Sequence, residues 1–375
     1  MSKAAELAKM GEVITNSQIG GRRNIVINGA MTVAQRATSA SSKGDADGYF
    51  TVDRYKVNVG DTSAGRFTMS QATDAPNGFA NSLKIDCTTA DTSIAAGERL
   101  TIDYRIEGQD LQQVKKGTAD AETMTLSFYA KVAGSATDFV VDLIDNDYSR
   151  QVSKLFTFTT SWVRYYWTIP ADTSGAFDND NANSLNIQFW LHGGSTYTSG
   201  TLNTSWASST DANRAVGIDS IFSSTSNDLY LTGVQLEVGS TATPFEHRSF
   251  GEELQLCQRY YYERMGTGTA LAVSGGEYQW AMNGIAYNTT LGVGGLAFPT
   301  PMRATATLGY SAVAHFIKQT AGRGDEVTAI NLYDGAENAT TSTAYVQFNS
   351  SNSTAGGAIM TTQNSSARLN FDAEL

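Results

Sequence analysis

The sequence predicts an all-β protein: a jelly-roll-like β-sandwich, a short linking helix, a second and smaller β-sandwich, and a short N-terminal helix. Three observations predict it. Charged residues make up 17% of the 375 positions, against about a quarter in ordinary globular chains; Ser, Thr, Asn and Gly fill the gap and favour short strands with polar turns. From Asn24 onward, strand-like runs such as YFTVDRYKVNV, ERLTIDYRIEG, MTLSFYAKV, DFVVDLID, SLNIQFWLHGG and DLYLTGVQLEV alternate with Gly/Asp/Asn/Ser turns, the cadence of a sandwich or jelly roll. No internal repeat with a period of about 20–50 residues is present, which argues against a propeller or a parallel β-helix.

The elements follow in order. Residues 1–21 read as a short amphipathic helix in which Leu7, Met10 and Ile14 approximate a heptad seam interrupted by Gly11. A lone helix of this length does not hold in water, so it either serves attachment or oligomerisation or is a frayed tail. Residues 22–248 carry the ten or so strand-like runs of the first sandwich. GVQLEV (233–238) alternates as its closing strand. After a turn, residues 249–264 read as the linking helix. There Ser249 and Glu252 form a capping box, and Leu254, Cys257 and Tyr261 share one face. Tyr260, Tyr261 and Tyr262 point three ways around such a helix, so it reads as a domain joint and subunit contact in which Leu254 and Tyr261 pack between copies. Strand-like runs resume over 265–375, from EYQWAMNGIAY to SARLNFDAEL.

Composition excludes several classes. The net charge is −11 and the only basic doublets are Arg22-Arg23 and Lys115-Lys116, so neither nucleic acid nor an anionic membrane surface is an expected partner. No apolar run reaches about 18 residues, so membrane insertion is not expected, and the N-terminus lacks the h-region of a secretory signal. Cys87 and Cys257 have no metal-type spacing, and folding in a reducing compartment is the simpler reading.

Catalytic patterns are missing: there is no P-loop, HExxH, GxSxG or helix-opening GxGxxG. The three histidines, His192, His247 and His315, show no recognisable nucleophile beside them, so no triad and no enzyme is expected. Two acidic runs supply Asp142, Asp145 and Asp147, and Asp178 and Asp180. Paired carboxylates serve glycoside hydrolysis when suitably spaced, hard oxygen donors hold calcium, and both residue types also build turns. Asp178 and Asp180 are the candidate calcium ligands, although their run fails the EF-hand spacing, with Ala182 and Phe189 at ligand positions; otherwise no cofactor is expected. Aromatic residues are the most suggestive class. In TSWVRYYWTIP, alternation puts Val163, Tyr165, Trp167 and Ile169 on a core face and Trp162, Arg164, Tyr166 and Thr168 on the other. Trp162 and Tyr166 are thus the candidate platforms for sugar rings. The RGD at Arg323–Asp325 reads as part of a glycine-rich turn.

Two segments resemble a known family. NIVINGAMTVAQRATSASSKGDADGYFTVDRYKV, residues 24–57, is similar to the opening of bacteriophage virion structural proteins of the tail-fibre type in its strand NIVINGAMTVAQR, its Gly/Ser loop and its closing YFTVDRY. Tyr55 stands where tryptophan is usual and Ala37 where glycine is usual. GVQLEVGSTATPFEHRSFGEELQLCQRYYYE resembles the close of the same module and its following helix. The resemblance implies a β-sandwich similar to carbohydrate-binding modules, in fibres that are commonly homotrimeric, and no catalytic residue. It further implies a virion location: assembly in the host cytoplasm without a signal peptide, attachment to other virion proteins through the N-terminal segment, and contact with host surface polysaccharide. The expected function is a non-enzymatic tail fibre or appendage. The alternatives are a capsid decoration or head-fibre protein, a tailspike-like glycan depolymerase, and a cellular lectin-like module.

Overall fold

A computed structural model describes Lys3, residues 23–265 apart from 62, and residues 279–286, 288–320, 323–333, 340–350, 356–362 and 367–375. The chain divides into two units, Met1–Glu253 with Leu375 and Leu254–Glu374. The predicted N-terminal helix, with Leu7, Met10 and Ile14, lies outside the described residues.

The first unit contains β1 (Ser39–Lys43), β2 (Gly48–Tyr49), β3 (Tyr55–Gly60), β4 (Arg66–Ala72), β5 (Ser82–Thr89), β6 (Arg99–Glu107), β7 (Met124–Ala133), β8 (Asp138–Asp145), β9 (Arg150–Thr157), β10 (Val163–Ile169), β11 (Asn183–Gly193), β12 (Ala207–Ser208) and β13 (Asp228–Val238). They form a six-stranded sheet, β1-β4-β5-β13-β7-β10, and a seven-stranded sheet, β12-β9-β8-β11-β6-β3-β2. Period-2 alternation builds both sheets. In β7, Met124, Leu126, Phe128, Ala130 and Val132 are buried, and across the register Trp167 and Ile169 of β10 lie opposite Leu126 and Met124. Opposing sheets meet at a cluster of rings: Phe128 packs edge-on against Phe156 and Phe189 (5.3 Å each), and Phe139 stacks on Phe158 (5.6 Å). Such geometries add to the area term that dominates a core.

The seven-stranded sheet is buried on both faces at its centre. Opposite the core, Val140 and Trp190 pack with Tyr197 and Ala215 from the 194–223 segment, which includes helix α1 (Ser195–Thr198). One rung of that face, Asp103 (β6), Gln188 (β11), Asp142 (β8) and Ser153 (β9), is polar and buried throughout. Buried polar groups of this kind must be mutually satisfied. Asp103 accepts from Asn58 (2.8 Å), Gln188 (2.9 Å) and Thr101 (2.5 Å), and Asp142 from Ser153 (2.8 Å) and Arg214 (3.0 Å), while Arg214 also reaches Gln188.

Where a linking helix was expected over 249–264, the helix α2 is shorter, Phe250–Gln258. Its cap is the expected serine, with the Glu252 amide donating to Ser249 Oγ at 3.3 Å. The three tyrosines follow the helix rather than ringing it: Tyr260 is buried, and Tyr261 and Tyr262 begin β14 (Tyr261–Met265). Bulky aromatic residues prefer a pleated surface to a helix, and β14 finds a partner in the C-terminal strand.

The second unit is also all β, but its main sheet closes on itself. β15 (Gln279–Ala286), β16 (Leu291–Ala297), β18 (Phe316–Thr320), β19 (Arg323–Leu332), β20 (Thr343–Ser350) and β21 (Gly356–Thr362) form a barrel in the order β15-β16-β20-β19-β18-β21. β14, β17 (Thr307–Tyr310) and β22 (Arg368–Asp372) make a three-stranded sheet in the order β14-β22-β17. A barrel here replaces the expected second sandwich, and closure removes the edges that a sandwich leaves exposed. The glycines of LGVGGLA permit it. Gly292 and Gly294 are buried, and a Cβ at Gly292 would stand 2.3 Å from the Phe348 ring. The RGD tripeptide opens β19, paired with the end of β18, rather than forming the turn.

Candidate functional site

The outer face of the six-stranded sheet carries Trp162, Tyr166 and Tyr230, all at least partly exposed to solvent. Its centre is a rung in which Lys84 (β5), Tyr230 (β13) and Lys131 (β7) lie side by side. Trp162, just before β10, meets Tyr230 edge-on at 6.2 Å, and its indole N–H donates to Asp74 at 3.0 Å. The Lys131 ammonium lies 4.6 Å from the Tyr230 centroid and 5.5 Å from that of Trp162 and pairs with Asp74. Lys84 bridges Asp228 (3.1 Å) and Asp86 (3.4 Å). Hydrogen bonds from Lys131 and Trp162 hold the Asp74 carboxyl below its ordinary range, whereas burial, with Asp86 beside it, pushes Asp228 up. Four residues along, Tyr166 is 64% exposed. Strand geometry places it about 13 Å from Trp162, with Arg164 between them on the same face, donating to Ser127 Oγ at 3.0 Å. Flat rings bordered by fixed charged donors and acceptors can stack on the apolar face of a ligand while bonding its hydroxyls. The span suits an extended ligand rather than a single ring.

The remaining predicted residues do not converge. Asp142 sits in the buried rung, Asp145 accepts from Lys116 at 2.6 Å, and Asp147 accepts from the Asp178 amide at 2.9 Å. Asp178 and Asp180 are both exposed, and Asp180 Oδ1 takes the Ala182 amide at 2.9 Å, a turn-forming contact. Among the described residues no cluster of three or more His, Cys, Asp or Glu side chains is placed to hold a metal ion. Leu254 is half-buried on α2; Tyr261 is buried on β14, with its hydroxyl donating to Glu263 at 2.7 Å.

One constellation escapes sequence reasoning. His192 Nδ1 lies 2.7 Å from Ser220 Oγ and its Nε2 3.1 Å from Glu98, bringing together three residues spread over 123 positions of the sequence. The ring is fully buried beneath Phe222 (5.2 Å), and Ser220 Oγ also caps a 3-10 turn by accepting the Phe222 amide. The trio therefore pins the segment before β6 to the segment before β13. Burial holds the imidazole below its ordinary value against the pull of Glu98. The neutral form is thus favoured on folding, so stability is fully present above about pH 6.5 and falls as pH drops below it. Thermal unfolding followed from pH 7.5 to 5.5 should show this loss, and His192→Gln should flatten it; identical slopes in variant and wild type would rule it out.

The segments quoted for the family resemblance meet in space. Asn24 exchanges hydrogen bonds with Val234 and Leu236 of β13, and the Glu246 carboxylate accepts from the Arg23 and Asn24 amides (2.6 and 2.8 Å). Arg248 donates to the carbonyls of Val26 (3.1 Å) and Asn24, and Glu253 accepts from the Asn28 amide. Asn28, at φ 59°, bridges Val33 and Asp53 through its side chain. The motif residues are thus a clasp that joins the module's two ends.

No family model and no curated protein matches the sequence. Solved structures similar to the chain include a CBM22-1 xylan-binding domain from Paenibacillus barcinonensis (11% identity, 60% of this chain and 100% of that one, TM-score 0.29). Others are a CBM61 module in complex with β-1,4-galactotriose (8%, 58% and 99%, 0.29) and a family 11 carbohydrate-binding module from Clostridium thermocellum in complex with a mixed-linked tetrasaccharide (14%, 55% and 99%, 0.26). Likeness at these levels of identity and score assigns no ligand and no role to this chain.

Proposed function

We propose that the chain is a non-enzymatic structural protein of a phage virion, a tail fibre or similar appendage, whose first unit contacts host-surface glycan through the Trp162–Tyr166 face. The observation that carries the glycan reading is the aromatic row itself: Tyr166 is largely exposed, and Trp162 and Tyr230 are held in place by Lys131 and Asp74. The virion reading rests on the resemblance of the segments that form the clasp. In this reading the chain works as a homotrimer, joined to other virion proteins through residues 1–21, and is assembled in the host cytoplasm; it requires no catalytic group and no resident calcium.

Binding to an array of bacterial surface polysaccharides tests the glycan contact. Tyr166→Ala should weaken binding to the best ligand about tenfold, on the order of 1.4 kcal/mol, without changing the melting temperature, because the ring is exposed. Trp162→Ala should weaken it as much or more while also releasing Lys131 and Asp74. Undiminished binding in both variants would sink the assignment of this face.

A further inference from the structure

Lys116 is 3% exposed, and its ammonium sits in a closed set of partners. Nζ lies 2.6 Å from Asp145 Oδ2, 3.2 Å from Asp172 Oδ2, 2.8 Å from the Ser174 carbonyl and 2.7 Å from the Gly175 carbonyl. The rings of Phe177 and Trp206 lie 5.2 and 5.4 Å away. Each carboxylate is fixed by other bonds. Asp145 Oδ1 accepts the amides of Asp147 and Tyr148 (3.0 and 3.1 Å), and Asp172 is held by the Arg150 fork at 2.6 and 3.0 Å. The neighbouring Lys115, by contrast, is exposed and pairs with Glu122 at the surface. With Arg150 and Lys116 against two aspartates the cluster is neutral; without Lys116 it carries one net buried negative charge beside two inward-facing carbonyls.

We infer that this is a cation-recognition cage of the ammonium type, occupied in cis by the chain's own lysine, so that Lys116 does the work of a bound structural cation. Two features distinguish it from a metal site. The oxygens stand at hydrogen-bonding distances rather than at the roughly 2.3–2.6 Å of calcium ligands. The aromatic rings also supply cation–π attraction, which suits an alkylammonium and is the means by which aromatic cages read amines. A cavity of about 360 Å³, lined by Lys115, Lys116, Thr118, Asp120 and Phe177 among others, opens beside the cage. It gives a small amine a path to the cage once the lysine side chain is removed.

The test uses the full chain with Lys116→Ala and Lys116→Met. Both variants should melt lower than wild type by roughly 10 °C or more, the scale for a buried charge cluster stripped of one partner. Propylammonium at millimolar concentration should raise the melting temperature of Lys116→Ala toward wild type while leaving wild type and Lys116→Met unchanged, because methionine fills the space. Calcium should be the weaker rescuer. If Lys116→Ala does not fold alone, its refolding yield with and without propylammonium replaces the melt. A Lys116→Met variant as stable as wild type would overturn the inference, since the cage would then need no cation; so would the absence of any amine rescue, or rescue by calcium in preference to the amine.

Discussion

Replacing Arg214 by alanine is expected to destabilise the first unit by about 3–5 kcal/mol, the usual cost of removing one partner of a buried ion pair. Arg214 is 9% exposed and lies across the polar rung of the seven-stranded sheet. It donates to Asp142 at 3.0 Å and to Gln188, with the Trp190 ring 5.1 Å from its guanidinium carbon. Asp142 is fully buried, and burial already pushes its carboxyl above the ordinary range, with Arg214 and Ser153 pulling the other way. Without Arg214 the upward shift grows, so folding favours the protonated carboxyl further. An acid whose folded pKa is raised contributes stability that is present below its unfolded pKa and lost as pH rises through the folded one. The deficit of Arg214→Ala should therefore be larger at pH 7.5 than at pH 5. Urea unfolding at the two pH values measures it. Arg214→Met combined with Asp142→Asn should recover much of the loss, because both charges leave together. A single variant within about 1 kcal/mol of wild type at pH 7.5 would show that the pair is not the keystone of this face.

Much of the first unit was legible in the sequence because one face of each strand meets the core and the other meets water. TSWVRYYWTIP follows the rule in its second half, where Trp167 and Ile169 are buried while Tyr166 projects, but Val163, expected on the core face, is exposed and Tyr165 is half-buried. Legibility failed where that binary rule fails. DFVVDLID reads as a strand, but its aspartates give no hint that both of its faces are covered. Asp142 is neutralised by Arg214, 72 residues away, and Asp145 by Lys116, 29 residues away. Pairings over such separations follow from sheet order, which local pattern does not encode. His192 is similar, since its partners Glu98 and Ser220 become neighbours only once the two sheets are assembled. In the second unit, LGVGGLA shows strand character, but only the position of Phe348 explains why its inward glycines favour a closed barrel over a sandwich. YYYER reads as helix because the capped turn before it is genuine; the pairing of Tyr261 with Asp372 wins over continuation of the helix.

The second large effect is expected at the clasp. Arg248 has a side chain only 3% exposed, and in Arg248→Ala its four partners are left without it: the carbonyls of Asn24 and Val26, and the carboxylates of Glu246 and Glu253, each 3.3 Å from it. Buried acceptors that lose a charged donor cost about 1–3 kcal/mol each when nothing replaces it. Partial access of water to Glu246 limits the total to about 2–4 kcal/mol. The loss should be unevenly distributed. The Glu246 carboxylate still holds the Arg23 and Asn24 amides, and Ile25 still donates to the Leu236 carbonyl at 2.9 Å. Amide exchange should therefore accelerate most at Asn28, whose N–H is held by Glu253, and least in β7, whose bonds lie within the sheet. Arg248→Lys keeps the charge but cannot fork between two carbonyls and two carboxylates, so it should fall between alanine and wild type. Uniform acceleration across the sheet would mean that the clasp is part of the global folding unit; acceleration nowhere would mean that the two motif segments are held by β13 alone. The graded, local response is what the hydrogen-bond geometry requires, because Arg248 ties the opening segment to the turn after β13 without contributing to the ladder of either sheet.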